Sequence, residues 1–169
     1  MVWLIRAGVV RRFACCRRYA PAMPACLFCE ILAGTIPAFR IAEDAEAIAF
    51  MDINPAVPGH ALVIPREHSV DALAAPPAAL AACTVLAGRV GRAAERVLGA
   101  TGVTFLSCAR PDGGQTVFHL HVHVLPRQPA DGLSFPWLHQ PGDPAVIETI
   151  ADALRSALYF EGTAYSLSL

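Results

Sequence analysis

Apolar and polar residues alternate in short segments through the first three quarters of the chain, a pattern typical of β-strands. Turn residues such as Gly, Pro and Asp separate these segments. The most regular segment is 117–125, in which His119, His121 and His123 alternate strictly with Leu120, Val122 and Val124. Because side chains of a strand point alternately to its two faces, one face should carry the histidines and the other should pack into a core. The five predicted strands are 40–43, 47–52, 60–64, 103–108 and 117–125.

Helical spacing of apolar residues replaces this alternation in three other segments. The longest helix is predicted from Pro76 to about residue 98, where Gly99 is a typical stop residue. A short helix is predicted at 26–32 and a further one near 144–158. Together the elements predict an α+β fold with about five strands in a mainly antiparallel sheet, one long helix and one short helix. The predicted organisation is an extension at 1–22, a domain at 23–138, and a C-terminal helix and tail at 139–169.

Composition narrows the class of protein. The chain has 169 residues, of which 55% are hydrophobic and 16% charged, enough for one well-packed domain. No apolar run reaches the roughly 20 residues of a membrane-spanning helix, so neither an integral membrane protein nor a membrane partner is expected. The chain has no lysine at all. A phosphate-binding loop lysine and a lysyl-nucleotide intermediate are therefore excluded.

Charge is distributed unevenly along the chain. Five of the thirteen basic residues fall within 1–22, which leaves eight basic residues against fourteen acidic ones in the remainder. Such a body has no general attraction for a polynucleotide backbone. A small nucleotide is the more suitable ligand, and no nucleic-acid partner is expected.

The first 22 residues are rich in arginine, contain no acid, and lack the pattern of a secretory signal. They are interpreted as a disordered extension produced by a start placed upstream of Met23, with a mitochondrial presequence as the alternative. Six cysteines, several of them closely spaced, suit a reducing compartment better than a disulfide framework. The predicted location is therefore the cytoplasm.

The three histidines of 117–125 admit three interpretations. They could lie on a polar surface strand, bind a catalytic metal, or act in nucleophilic catalysis, with a neutral imidazole attacking phosphorus. The preceding sequence Gly-Gly-Gln-Thr favours the last, because glycines let backbone amides approach a phosphate and the next two side chains add uncharged donors.

A second group of candidate residues is Cys26-Leu-Phe-Cys29. This spacing alone does not distinguish a zinc site from a redox pair or from packing. A thioredoxin-like role is disfavoured because the pair does not lie between a strand and a helix of a βαβ unit.

Three blocks of sequence, CLFCEILAGTIPAF, AFMDINPAVPGHALVIPREH and GGQTVFHLHVHVLPR, resemble the histidine-triad (HIT) superfamily in order and spacing. They cover most of 26–127 and are most similar to the Hint-like branch. The resemblance implies a HIT-like fold, a homodimer whose two sheets join into one, and a purine nucleotide ligand of the AMP type, with no organic cofactor.

The same resemblance implies roles for individual residues. His121 corresponds to the nucleophile, and His123 to the residue that contacts phosphate and leaving group. His119 and His60 would orient the site, and Asp52 would bind ribose hydroxyls. The implied phosphate-side residues are Gly114, Gln115 and Thr116, and the implied purine pocket is Leu27, Phe28, Ile31, Phe50, Ile53 and Leu62.

The resemblance also bears on the cysteine pair. Relatives that contain this pair also hold the equivalents of His68 and His119, so Cys26, Cys29, His68 and His119 are predicted to bind structural zinc. One departure from the family is Cys108, which stands where relatives usually carry asparagine. We assign Cys108 no catalytic role.

Four functional hypotheses follow. The first is hydrolysis of nucleoside 5′-phosphoramidates or related AMP conjugates through a nucleotidyl-histidine intermediate. A dinucleoside polyphosphate hydrolase would use the same nucleophile on another leaving group. The remaining alternatives are a nucleotide-binding interaction module with weak catalysis and a zinc hydrolase that uses the three histidines as ligands.

Overall fold

The computed structural model describes residues 26–134 and 141–165. The predicted extension at 1–22 and the predicted boundary between 138 and 139 lie outside these residues. The elements, in chain order, are α1 (Leu27–Ala33), β1 (Arg40–Glu43), β2 (Ala47–Met51), β3 (Ala61–Pro65), α2 (Pro77–Leu98), β4 (Gly102–Leu106), β5 (Val122–Arg127) and α3 (Pro144–Tyr165). A short 3₁₀ turn, Pro111–Gly113, precedes β5.

The five strands form one sheet in the order β1-β2-β3-β5-β4. Every neighbouring pair in this sheet is antiparallel. The predicted α+β class and the five-stranded antiparallel sheet are therefore confirmed, and most predicted element bounds differ from the observed ones by one or two residues.

The two faces of the sheet are covered by different helices. On one face, small side chains of β2 and β3 pack with Val122 and Val124 against α2. On the other face, Phe28 and Ile31 of α1 pack against larger side chains, namely Ile48, Phe50, Leu62 and Ile64. Period-two alternation sends successive residues of each strand to opposite clusters. The small residues on the α2 face allow that helix to approach the sheet closely.

The prediction of a strand over 117–125 is wrong in its first half, because β5 begins only at Val122. The amide of His119 donates to the Val117 carbonyl, 2.9 Å away, in a tight turn. The Leu120 amide donates to the Ser69 carbonyl, 2.6 Å away. Because of these bonds, residues 117–121 are not part of β5. The alternation nevertheless persists, since Leu120 is buried in the same cluster as Val122 and Val124.

The described chain divides into two compact units, the second beginning at Gly132. Within the second unit, α3 carries an arginine, Arg155, paired with Glu148 and Asp152 of the same helix. Among the described residues, no helix combines the length and apolar character needed to cross a bilayer.

Gly59 immediately precedes His60 and has a positive φ of 85°. A Cβ atom there would overlap Leu98 Cδ1 and lie 3.0 Å from Pro126 Cγ. Gly34 ends α1 with a similar φ of 78°, but a Cβ atom there would have nothing within 4 Å. The two glycines therefore share the backbone requirement and differ in the space available.

We expect Gly34→Ala to lower the free energy of unfolding by about 1 kcal/mol, the cost of a left-handed backbone for alanine. Gly59→Ala should lower it by roughly 2 kcal/mol more, because overpacking adds to that cost. Urea denaturation of both variants measures the difference. Equal losses in the two variants would show that the space around Gly59 is not restrictive.

Candidate active site

A cleft of about 340 Å³ opens on the α1 face of the sheet. It lies between α1, the end of β2 and the segment that leads into β5. Ten predicted site residues line it: Leu27, Phe28, Ile31, Phe50, Asp52, Ile53, Leu62, Thr116, His121 and His123. Six further lining residues were not predicted: Ile36, Pro37, Ala38, Met51, Asn54 and Val117.

The cleft has a buried wall and an exposed rim. Phe28 and Phe50 are almost fully buried, and their rings meet edge to face with centroids 5.6 Å apart. Ile53, in contrast, exposes 78% of its surface, and Leu27 exposes 44%. Ile53 and Leu27 therefore form the rim, where they can close over a flat apolar ligand, while the phenylalanines form the wall.

Gln115 and Gly114, two of the three predicted phosphate-side residues, do not line the cleft. The Gln115 amide donates to the Val70 carbonyl at 2.7 Å and to the Val117 carbonyl at 3.0 Å, and its oxygen accepts from the Arg110 amide at 2.7 Å. Both side-chain donor hydrogens are thus used within the protein. In this structure Gln115 holds the loop before β5 in place.

His121 is held by the backbone of a neighbouring histidine. Its Nδ1 lies 2.7 Å from the His119 carbonyl oxygen. Because a carbonyl only accepts, Nδ1 must carry the hydrogen, and Nε2 of the neutral ring keeps its lone pair. The Ser107 hydroxyl donates to the His121 carbonyl, 2.8 Å away. A buried imidazole with a free acceptor nitrogen therefore lines the cleft.

The hydrogen positions on His60 and His123 follow from a second backbone group. The Ala56 amide donates to His60 Nδ1, 3.2 Å away, so the His60 hydrogen is on Nε2. That Nε2 lies 2.9 Å from His123 Nδ1 and donates to it. Neutral His123 consequently carries its hydrogen on Nε2. Since the ring centroids of His121 and His123 are 4.9 Å apart, the cleft holds an acceptor nitrogen beside a donor nitrogen.

Burial favours the neutral form of His60, His119 and His123. It lowers the pKa of His60, against the opposing effect of Asp52, whose Oδ2 lies 3.6 Å from His60 Nε2. Burial likewise lowers the pKa of His119. The pKa of His123 falls to about 4, first because of burial and then because His121 and His60 lie close by.

Asp52 lies where β2 ends, at the edge of the cleft. Its Oδ1 accepts a hydrogen bond from the Asn54 amide, 2.8 Å away. This bond fixes the carboxylate while leaving lone pairs on both oxygens. Asp52 is therefore available to accept hydrogen bonds from ligand hydroxyls.

The four predicted zinc ligands converge. The Cys29 Sγ lies 3.3 Å from His68 Nδ1 and 3.6 Å from His119 Nδ1, and the two Nδ1 atoms are 3.3 Å apart. Cys26 Sγ lies 3.5 Å from His119 Nδ1. A tetrahedral zinc with ordinary bond lengths would place sulfur and nitrogen ligands about 3.5 Å apart and two nitrogens about 3.3 Å apart. The donor set and its spacing therefore fit zinc.

The far side of the His119 ring supports the same interpretation. His119 Nε2 lies 3.1 Å from the Pro65 carbonyl, so it carries the hydrogen and Nδ1 presents its lone pair to the cluster. The Nδ1 atom of His119 therefore faces the cysteine cluster and not the cleft. The contribution of His119 to the cleft is the carbonyl that binds His121.

The three histidines do not converge on one metal position. His119 belongs to the cysteine cluster, while His123 belongs to a separate group with Asp52 and His60. His121 is in neither group. A hydrolytic zinc held by all three histidines, one of the alternatives from the sequence, therefore has no support in this geometry.

Sequence reasoning missed the residues that act on the histidines. Ser107 gave no signal, because its bond to the His121 carbonyl joins residues 14 positions apart in the chain. Pro65 and Ala56 act only through backbone atoms, which carry no residue-specific pattern.

Comparison with known proteins decides the family. The sequence model of the HIT domain family matches residues 33–130, more than half of the chain. The chain belongs to the HIT domain family. Among curated proteins, a HIT-like protein of Mycobacterium tuberculosis is 45% identical over 114 residues, covering 64% of this chain and 76% of the relative. Adenosine 5′-monophosphoramidase hnt1 of Schizosaccharomyces pombe is 32% identical over 134 residues, covering 79% of this chain and 98% of the relative.

Solved structures of other proteins share the fold. A protein from Streptococcus mutans superimposes with a TM-score of 0.76 at 30% identity, covering 92% of this chain and 99% of that chain. A zinc-bound histidine triad protein from Mycobacterium smegmatis gives a TM-score of 0.64 at 38% identity, covering 83% of this chain and 97% of that chain. The second of these comparisons, with a protein of the histidine triad family, confirms the HIT-like fold.

The cysteine cluster predicts how the protein responds to metal removal. We expect the purified protein to hold about one zinc per chain, and a chelator to lower its unfolding temperature. Cys29→Ser should lose the metal, whereas Cys108→Ser, which changes a cysteine outside the cluster, should retain it. Elemental analysis and thermal denaturation measure both effects. Full zinc occupancy in Cys29→Ser would contradict this assignment of ligands.

The lowered pKa of His123 predicts a loss of stability in mild acid. Between pH 6.5 and about pH 4 the unfolded chain binds a proton at this residue that the folded chain does not, so stability falls as pH falls through this window. We expect His123 to contribute about 1 to 3 kcal/mol to that loss.

Urea denaturation at pH 7.5 and pH 5 tests this, with wild type compared to His123→Asn under the same metal conditions. Asparagine can still accept the hydrogen from His60 but does not titrate. The variant should therefore lose less stability on acidification. Equal losses would show that the His123 ring titrates normally.

Proposed function

We propose that this HIT protein hydrolyses nucleoside 5′-phosphoramidates or related AMP conjugates through a covalent nucleotidyl-His121 intermediate. The observation that carries the proposal is the hydrogen bond from His121 Nδ1 to the His119 carbonyl, 2.7 Å long. It leaves Nε2 as a lone-pair nitrogen, in the ring orientation that an attacking imidazole needs.

Three regions of the cleft suit the base, the ribose and the phosphate of a nucleotide. The wall of Phe28 and Phe50 and the rim of Ile53 provide an apolar slot for a planar base. Asp52 accepts hydrogen bonds from ribose hydroxyls. The phosphate then falls toward Thr116, His121 and His123 at the other end of the lining. A cleft of about 340 Å³ is within the range usual for small-molecule sites.

In the first step His121 Nε2 attacks the α-phosphorus, a nitrogen–phosphorus bond forms, and the bond from phosphorus to the leaving group breaks. The ring becomes a cation, stabilised because its Nδ1 hydrogen already faces the His119 carbonyl. The leaving nitrogen departs with the bonding electron pair and takes a proton from the solvent. Neutral His123, whose Nδ1 accepts from His60, uses its Nε2 hydrogen to donate to a phosphate oxygen.

In the second step water attacks the same phosphorus. The water loses a proton to the solvent as the new oxygen–phosphorus bond forms, and the His123 Nε2 hydrogen again donates to a phosphate oxygen. The bond between phosphorus and His121 breaks, its electron pair returns to Nε2, and AMP is released. The net reaction adds one water across the original bond to phosphorus.

Relatives support an adenosine nucleotide as the substrate. One is the adenosine 5′-monophosphoramidase described above, and another is named an adenylylsulfatase, from Arabidopsis thaliana, with 32% identity over 108 residues, 64% of this chain and 55% of the relative. Both names denote cleavage next to an adenylyl group. We therefore propose AMP as the part of the substrate that the cleft binds.

We extend the proposal to metal, assembly and location. Structural zinc on Cys26, Cys29, His68 and His119 would fix α1 to the segment before β5. A homodimer would form at β4, an edge strand of the described sheet with Phe105 and Leu106 exposed. No disulfide joins the four described cysteines, which agrees with a cytoplasmic location.

We expect rapid quenching of wild-type protein with adenosine 5′-phosphoramidate to trap a nucleotidyl adduct, visible by intact-mass spectrometry, with AMP released in parallel. His121→Asn should form no adduct and lose roughly 10⁴-fold or more in turnover, because it lacks the nucleophile. His139→Asn, which replaces a histidine outside the triad sequence, is the matched control and should behave as wild type.

The outcomes separate the hypotheses. Undiminished turnover by His121→Asn would remove this residue as the nucleophile. AMP binding without turnover by wild type would favour the nucleotide-binding module. Faster turnover of a dinucleoside polyphosphate than of the phosphoramidate would favour a dinucleoside polyphosphate hydrolase, in which the leaving group is a nucleotide.

A further inference from the structure

Two arginines of α2 stand apart from all others in the described structure. Of the eight described arginines, six have a carboxylate oxygen within 4.0 Å: Arg40, Arg66, Arg89, Arg110, Arg127 and Arg155. Arg92 and Arg96 have no such partner among the described residues. In a body with fourteen acids against eight bases after residue 22, two uncompensated guanidinium groups on adjacent helical turns are unusual.

These arginines line a groove of about 360 Å³ between α2 and β1. Arg89 adds a third guanidinium, which lies 3.7 Å from Asp44 in an ion pair that solvent weakens, since both side chains are partly exposed. Apolar side chains, including Ile41 and Val90, also line the groove. Its surface therefore combines positive charge with apolar contact area.

The other wall of the groove is the edge strand β1. Within the described part of the chain, β1 pairs with β2 on one side and with no strand on the other. Its apolar residue Ile41 is exposed, as is Phe39 just before it. An edge strand with free backbone groups can pair with an additional extended segment.

We propose that this groove binds an extended acidic segment of a partner protein. The segment would add a strand to the outer side of β1, place carboxylates against Arg92 and Arg96, and lay apolar side chains on Ile41. Charge complementarity selects an acidic partner. It also disfavours residues 1–22 of this chain as the occupant, because they carry five arginines and no acid.

The groove is separate from the nucleotide cleft. α2 covers one face of the sheet, while the cleft opens on the face covered by α1. A partner could therefore bind without blocking the cleft. The proposal does not depend on the proposed catalytic activity, and the two can fail independently.

The test is NMR titration of the ¹⁵N-labelled full-length protein with a blocked octapeptide of alternating glutamate and valine. We expect shifts at the amides of β1 and at the guanidinium groups of Arg92 and Arg96, and weaker binding as salt rises. The double variant Arg92→Gln/Arg96→Gln should bind roughly tenfold more weakly. Arg155→Gln, which changes an arginine of α3, should bind as wild type.

Several results would overturn the proposal. A matched peptide of lysine and valine that binds equally well would remove the charge argument. Pyrophosphate that shifts the arginines, without any peptide-induced shift in β1, would indicate a small-anion site. Contacts between β1 and residues 1–22 in the free protein would identify that segment as the occupant, and absence of shifts at millimolar peptide would exclude the interaction. Dispersed spectra of the double variant verify that its fold is retained.

Discussion

The burial of Leu120, Val122 and Val124 against α2 determines where every histidine of the triad points. These three residues belong to one core cluster with Leu86 and Val90. His121 and His123 stand between these buried residues and face away from α2, and the turn before Leu120 places His119 on the same side. They then occupy the side of the sheet covered by α1, where Phe28 contacts the rings of both His119 and His121. Burial of apolar side chains on one face of the sheet thus places the three histidines together on the other face.

Backbone groups complete this constellation by fixing the hydrogen on each ring. The Pro65 carbonyl binds His119, the His119 carbonyl binds His121, and the Ala56 amide binds His60. Backbone atoms cannot change their donor or acceptor character, so the fold sets which ring nitrogen carries the hydrogen. Burial also favours the neutral form of His60, His119 and His123, because it disfavours the charged ring and so lowers the pKa of each. The neutral tautomers are therefore a property of the folded chain.

Local patterns predicted the fold well. Alternation and helical spacing identified the strands and helices, and Gly99 marked the end of α2 as expected. The convergence of Cys26 and Cys29 with His68 and His119 was also predicted, from the family resemblance.

The features that local patterns did not predict depend on contacts between residues distant in sequence. β5 starts late because Leu120 bonds to Ser69, about fifty residues earlier in the chain. The position of Gln115 outside the cleft lining has the same cause, because its side-chain amide donates to the carbonyls of Val70 and Val117. Such pairings have no signature in a local pattern, since any residue presents the same backbone carbonyl.

The shortness of α1 explains why the cysteine cluster matters for the nucleotide cleft. A seven-residue helix is unstable alone, and its N-cap, Cys26, makes no side-chain capping bond. Its position therefore depends on the burial of Phe28 and Ile31 and on whatever holds its two cysteines. The same helix supplies Leu27 and Phe28 to the cleft. With zinc bound as proposed, the metal would hold in place one wall of the cleft and, through the backbone of His119, the orientation of His121.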